Sequence, residues 1–185
     1  MTLQLTRYRF HVDDYYRLAE AGILKEDDRV ELIHGEIIKM NPIGSRHAGC
    51  VFRLNHLLSR QVKSNLIVGV QSPIRISEHS EPEPDLMILK HRDDFYTKQH
   101  PQPEDVLLVI EVADSSLSYD QQVKIPLYAE AKIPEVWLVN LDENIVEIYC
   151  NPDGNSYQDV QRYQQNDTIP LQALELNLNA RQILG

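Results

Sequence analysis

Apolar and polar positions alternate along this chain with a period that switches between about 3.6 and about 2 residues, and the switches mark out its elements. From His11 to Ala21 the positions Val12, Tyr15, Tyr16 and Ala19 recur at helical spacing, and Gly22 can end the helix they predict. Two short strands, Arg29 to Ile33 and Glu36 to Met40, flank His34-Gly35, a pair suited to a tight hairpin reversal. Pro42 and Gly44 then break the chain. Ser45 is placed to cap a helix reaching about Lys63, whose Cys50, Val51, Leu54, Leu57 and Leu58 form one apolar stripe. His47 lies one turn before Cys50 and Val51 and shares that stripe.

Strands are expected at Leu66 to Val70, Pro73 to Ile76 and Asp85 to Leu89, with Glu81 to Pro84 as an extended lead-in because of Pro82 and Pro84. A polar loop from about Lys90 to Pro103 separates these from Val106 to Val112. Six of those seven residues are aliphatic, so the segment reads as a central strand buried on both faces, with Glu111 inside it. Ser118 followed by Gln121 resembles a capping box for a helix to about Lys132, in which Asp120, Lys124 and Tyr128 are spaced by four and Pro126 interrupts the backbone bonding. Glu135 to Leu141 and Asn144 to Cys150 read as a hairpin, Asp153-Gly154 as a turn, and Ser156 to Tyr163 as a further strand. The C-terminal stretch LQALELNLNARQILG carries the weakest pattern.

Strands interleaved with helices predict an α/β fold, a mixed central β-sheet flanked by α-helices. A chain of 185 residues suits one domain spanning residues 1–185, and 42% hydrophobic with 25% charged residues is globular rather than disordered composition. No apolar run reaches the roughly 20 residues that cross a bilayer, and MTLQLTRYRFHVDDYY has no signal-peptide core, so the expected location is the cytoplasm. Cys50 and Cys150 read as reduced thiols, too few for a disulfide framework or a zinc cluster. A formal net charge of -10 argues against a surface that grips nucleic acid indiscriminately. Acidic residues gathered around a divalent cation would reverse that sign locally.

Three ionisable residues stand where packing prefers none. Asp85 opens a strand directly after Pro84, Glu111 sits in the most aliphatic strand, and Lys124 projects from the next helix. An unpaired buried carboxylate costs several kcal/mol, on the order of the penalty for any uncompensated buried charge, so Glu111 needs a cation or a proton. Asp85 and Glu111 on adjacent strand ends can hold Mg²⁺ or Mn²⁺ through hard oxygen ligands, with the Val112 carbonyl as a further donor. Lys124 can then orient a water or neutralise charge developing on a phosphate. The plainer reading of the same residues is a structural Glu–Lys pair and an Asp that fixes a turn.

The segments ELIHGEIIKM, His47, EPEPDLMIL, VLLVIEVADSS and SYDQQVKIPLYAEAKIPEVWLVN, in that order from about Arg29 to Val139, resemble the Uma-two family of bacterial proteins. That family is similar to the PD-(D/E)XK restriction-endonuclease-like nuclease superfamily. The resemblance implies a restriction-endonuclease-like fold and a Mg²⁺- or Mn²⁺-dependent endonuclease that hydrolyses DNA phosphodiester bonds, with Asp85, Glu111 and Lys124 catalytic and Asp85, Glu111 and Val112 on the metal. Pro84-Asp85 matches the PD element, and Glu111, 26 residues on, matches the acid. The superfamily places its lysine two residues after the acid, where this chain has Ala113, so the role falls to Lys124 in the following helix.

Accessory positions keep two readings each. Glu31 adds a carboxylate from the first hairpin, as an early acid does in some superfamily members, or forms a surface ion pair. His47 takes part in the chemistry or is a hydrogen-bonded core histidine. Asp120 positions Lys124 at i, i+4 or is solvated, Tyr128 packs, and Trp137 belongs to the core or to a self-association face. The rival functions are a nuclease-fold binding or regulatory protein without useful catalysis, and a metal-dependent hydrolase of another phosphate ester. A homodimer is expected if one small domain is to cut both strands of a duplex.

Overall fold

The computed structural model describes residues 7–25, 27–63 and 65–185. Met1 to Thr6, part of the N-terminal stretch read above for a signal segment, lie outside them. A six-stranded sheet in the order β3-β4-β5-β6-β7-β8 forms the centre, from β3 (Leu66–Val70), β4 (Leu86–Lys90), β5 (Val106–Ala113), β6 (Glu135–Asn140), β7 (Ile145–Asp153) and β8 (Ser156–Gln164). β5 and β6 run parallel and the remaining neighbours antiparallel, so the sheet is mixed. The parallel step needs a crossover, which is the helical segment between those two strands.

Period-2 alternation sends successive residues of the central strands into two separate cores. On one face Leu86, Ile88, Leu108 and Ile110 pack with Trp137 against α2 (Ser45–Gln61), which contributes Cys50, Val51, Leu54 and Leu58. The same face is closed by α5 (Ala180–Leu184) and by the ribbon of β9 (Thr168–Leu171) and β10 (Leu176–Asn179); the weakly patterned C-terminal stretch begins at the last residue of β9 and supplies β10 and α5. On the other face Met87, Leu89 and Val109 meet Ile125, Tyr128 and Ala129. Glu111 lies two residues beyond Val109 and so projects toward this second layer. Trp137 is fully buried and donates its indole N–H to Glu135 at 2.6 Å, which makes it core and not a self-association face.

The hairpin of β1 (Val30–Ile33) and β2 (Glu36–Lys39) turns at His34 and Gly35, with φ of 50° and 76°. Two successive positive φ values suit the tight turn whose twist matches its strands. A Cβ on Gly35 would stand 2.6 Å from Arg9 Cβ and 3.0 Å from its Cα, so glycine is required there for space as well as for φ. The N-terminal helix α1 (Val12–Glu20) ends as expected at Gly22, whose φ is 69°.

Several expectations are corrected. Pro73 to Ile76 is not a strand: Ile74 and Ile76 donate to the Pro82 and Ser80 carbonyls of one neighbouring segment, while Arg75 turns to Pro101. Its neighbour carries Pro82 and Pro84, which have no N–H to return, so no ladder can form. Ser45 is the first residue of α2 rather than its cap; Gly44 holds the N-cap position. Ser118 likewise falls inside the next helix, whose N-cap is Ser116.

That helix departs from regular geometry in an informative way. α3 (Leu117–Tyr119) runs through a π turn (Asp120–Lys124) into α4 (Ile125–Glu130). Pro126 offers no N–H to the carbonyl four residues earlier, and the wider π turn takes up the mismatch directly before it. Asp120 and Lys124, the first and last residues of that turn, are both buried.

Candidate active site

The seven residues singled out from the sequence, Glu31, His47, Asp85, Glu111, Val112, Asp120 and Lys124, line one cleft of about 520 Å³. Its position follows from the strand register. Leu86 of β4 faces Ile110 of β5, so Asp85 and Glu111 stand side by side just past the end of that ladder. Both strands are interior to the sheet, so the cleft opens at the ends of the strands and not along a sheet edge.

Asp85 is fixed from three sides. Its Oδ2 accepts the Val112 N–H at 2.9 Å and lies 2.9 Å from His47 Nε2, and its Oδ1 accepts Gln71 Nε2 at 3.3 Å. A carboxylate only accepts, so Nε2 is the protonated nitrogen of His47 in this pair. Burial pushes the Asp85 carboxyl up, but the His47 hydrogen bond and charge outweigh it, helped by the Val112 N–H, and hold it below its ordinary value. The same Asp85 bond raises His47 against partial desolvation. His47 is thus hydrogen-bonded, yet its Nδ1 is buried with no partner.

Glu111 Oε1 receives the Lys124 ammonium at 2.7 Å and the Tyr128 hydroxyl at 2.6 Å. Burial pushes Glu111 up to about 8 against the pull of Lys124. Burial alone would lower Lys124, but Glu111 and the surrounding oxygen groups overcome it and keep the amine protonated. Lys124 is also 3.5 Å from Glu31 Oε2. Glu31 is 3% exposed and accepts the Tyr119 hydroxyl and the Glu83 N–H, so the surface ion pair is excluded. The cause is the bridge between Leu32 and Glu81, which draws the β1–β2 hairpin onto the proline-rich lead-in.

Asp120 does not engage Lys124 as the i, i+4 spacing suggested. It accepts the Ser116 hydroxyl at 2.6 Å, and burial raises it to about 6 despite Lys124 and Ser116. Sequence reasoning missed Glu83 and Tyr119, and it read Tyr128 as packing, which it does, without its bond to Glu111. Only Tyr128 carried a signal, being four residues after Lys124; the other two depend on how the hairpin docks.

Six carboxyl groups line the cleft, Glu31, Glu83, Asp85, Glu111, Asp114 and Asp120, against four bases, Arg29, Lys39, His47 and Lys124. That excess is hostile to a bare phosphate and hospitable to a divalent cation. The Asp85 and Glu111 carboxylates, with the Val112 carbonyl, are hard oxygen donors of the type such an ion takes. The residues present therefore fit a metal of the Mg²⁺ class.

Comparison with known proteins bears on the fold and the family. A solved structure from Anabaena variabilis ATCC 29413, described as a "putative nuclease belonging to DUF820", superposes with a TM-score of 0.68 at 16% identity, covering 95% of this chain and 97% of that one. At that identity the likeness establishes the fold. No curated protein matches. The model of the Uma2 family, described as "Putative restriction endonuclease", matches residues 12–181, and the chain belongs to that family.

Proposed function

We propose that this protein is a metal-dependent nuclease that hydrolyses DNA phosphodiester bonds. The observation that carries the reading is the meeting of two carboxylates and one buried ammonium in a single cleft, with Lys124 on Glu111 at 2.7 Å. The family description supports the class of reaction.

Asp85, Glu111 and the Val112 carbonyl would hold Mg²⁺ or Mn²⁺. When bound, the ion lowers the pKa of water and stabilises charge on the phosphate. Lys124 supplies a fixed positive charge to a non-bridging phosphate oxygen or to the attacking water, and its burial makes that charge count for more than it would in bulk solvent. Tyr128, held protonated by burial and by Glu111, donates to Glu111 and fixes the direction of its carboxylate. Ala113 leaves the strand position of the usual lysine vacant, and the π turn brings Lys124 to the same carboxylate from the helix. Two copies per duplex would cut both strands, so a homodimer is part of the proposal, and sizing in solution tests it.

The deciding experiment incubates purified protein with Mg²⁺ or Mn²⁺ and duplex DNA, single-stranded DNA, RNA or a small phosphodiester. Cleavage of DNA by the wild type and its loss in Glu111→Ala are expected. Cleavage of the small ester alone would move the protein to another class of phosphoesterase. Binding of DNA without cleavage would leave a nuclease-fold binding protein.

A further inference from the structure

Outside the cleft, His11, Glu78 and His79 bring one ligand-type atom each within 4.8 Å of one another. Two distant segments supply them. His11 is the residue immediately before α1, and Glu78-His79 form the tip of the turn closed by Ser77 and Ser80. Main-chain bonding joins these segments, since Val12 N donates to the Glu78 carbonyl at 2.8 Å. The approach of the three side chains is therefore built into the backbone.

The side chains are disposed as ligands. His11 Nδ1 lies 4.0 Å from Glu78 Oε2, and the two imidazole rings stand 4.1 Å apart between centroids, tilted by 45°. His79 Nδ1 is 2.9 Å from the Phe10 carbonyl. A carbonyl only accepts, so Nδ1 carries the proton and Nε2 keeps the lone pair. That outer hydrogen bond is the kind that sets tautomer and ring direction in a metal-ligating histidine.

We propose that His11, Glu78 and His79 form a Zn²⁺ site separate from the cleft. Two imidazoles and one carboxylate are the donor set for a borderline ion such as Zn²⁺, with a remaining position for water. The cleft offers carboxylates and a carbonyl, which suit Mg²⁺ instead. The Zn²⁺ ties the start of α1 to the turn that continues into Glu81 and Glu83, and so braces the segment that presents Asp85. The proposal does not depend on nuclease activity.

The test uses the full, tag-free chain with Zn²⁺ alone, titrated against a chromophoric chelator and followed by thermal denaturation. One Zn²⁺ per chain with a Zn²⁺-dependent rise in Tm is expected for the wild type. His11→Ala and Glu78→Gln each weaken binding about tenfold or more, as removal of a ligand should, and Glu111→Ala does not. Both positions are exposed, and circular dichroism verifies that the variants fold. His79 is left unchanged because its loss would also break the bond to Phe10. The proposal is overturned if the wild type fails to bind, if His11→Ala and Glu78→Gln bind as tightly as wild type, or if Glu111→Ala is the variant that loses the ion.

Discussion

Replacing Glu111 by glutamine removes a carboxylate that burial has pushed to about 8 while leaving its shape in place. An unfolded glutamate ionises near its ordinary value of 4.5. Between those limits the unfolded state has released a proton that the folded state keeps, so the contribution of Glu111 is full below about 4.5 and is lost as pH rises through about 8. Each pH unit in that window is worth about 1.4 kcal/mol, or about 3 kcal/mol between pH 5 and pH 7. In the wild type Lys124 and Tyr128 are both raised above their ordinary values and stay protonated across this range, so they add no slope there. Asp120 and Glu83 titrate in both proteins, so the difference reports Glu111 together with its charge coupling to Asp120. The assay is urea denaturation of wild type and Glu111→Gln in EDTA at pH 5 and pH 7. Wild type should lose about 3 kcal/mol relative to the variant on going to pH 7, and a gap that changes by less than about 1 kcal/mol would refute the argument. A ligand carboxylate must also shed its proton, so wild-type Mg²⁺ affinity by calorimetry should rise toward pH 8, by up to about tenfold per unit.

Lys124→Met should lower DNA cleavage by about a hundredfold or more while Mn²⁺ binding by calorimetry persists, since the ammonium stabilises charge and does not ligate; cleavage at the wild-type rate would remove Lys124 from the chemistry. Tyr128→Phe should cost about 1.5 kcal/mol or more in denaturant titration, because it deletes a 2.6 Å bond to a buried carboxylate. Gly35→Ala should cost about 2 kcal/mol or more, combining a positive φ with a clash against Arg9, and a drop in Tm reads it out. Leu54→Ala should cost about 3 kcal/mol by the same measurement, being fully buried between α2 and the sheet.

The legible parts of the fold were those in which a local rule and the tertiary context agree. His34-Gly35 specified its hairpin because the positive φ values the turn needs are a local matter, and Val106 to Val112 was readable as central because nothing else accommodates so aliphatic a run. Pro73 to Ile76 misled because Ile74 is fully buried with Pro73 and Ile76 half-buried beside it, as in a strand, while the neighbouring chain lacks the donors for a ladder. The short β9, β10 and α5 lie below the length at which periodicity carries information. Asp85, Glu111 and Lys124 stood out for a different reason: charge in an apolar setting has to be compensated, and that demand is visible in one dimension. Glu83 and Tyr119 carry no such mark, since their place depends on the docking of a hairpin some fifty and ninety residues away in the chain.

The bond from the Val112 amide to the Asp85 carboxylate extends the pairing of β4 and β5 one step beyond their last main-chain partners, with a side-chain oxygen standing where a peptide oxygen would be. Asp85 is a strut as well as a candidate ligand. An inactive Asp85→Ala enzyme would mix the splaying of two strands with the loss of a donor atom. Glu111, whose described partners Lys124 and Tyr128 are both side chains, is the position where reactivity can be separated from architecture.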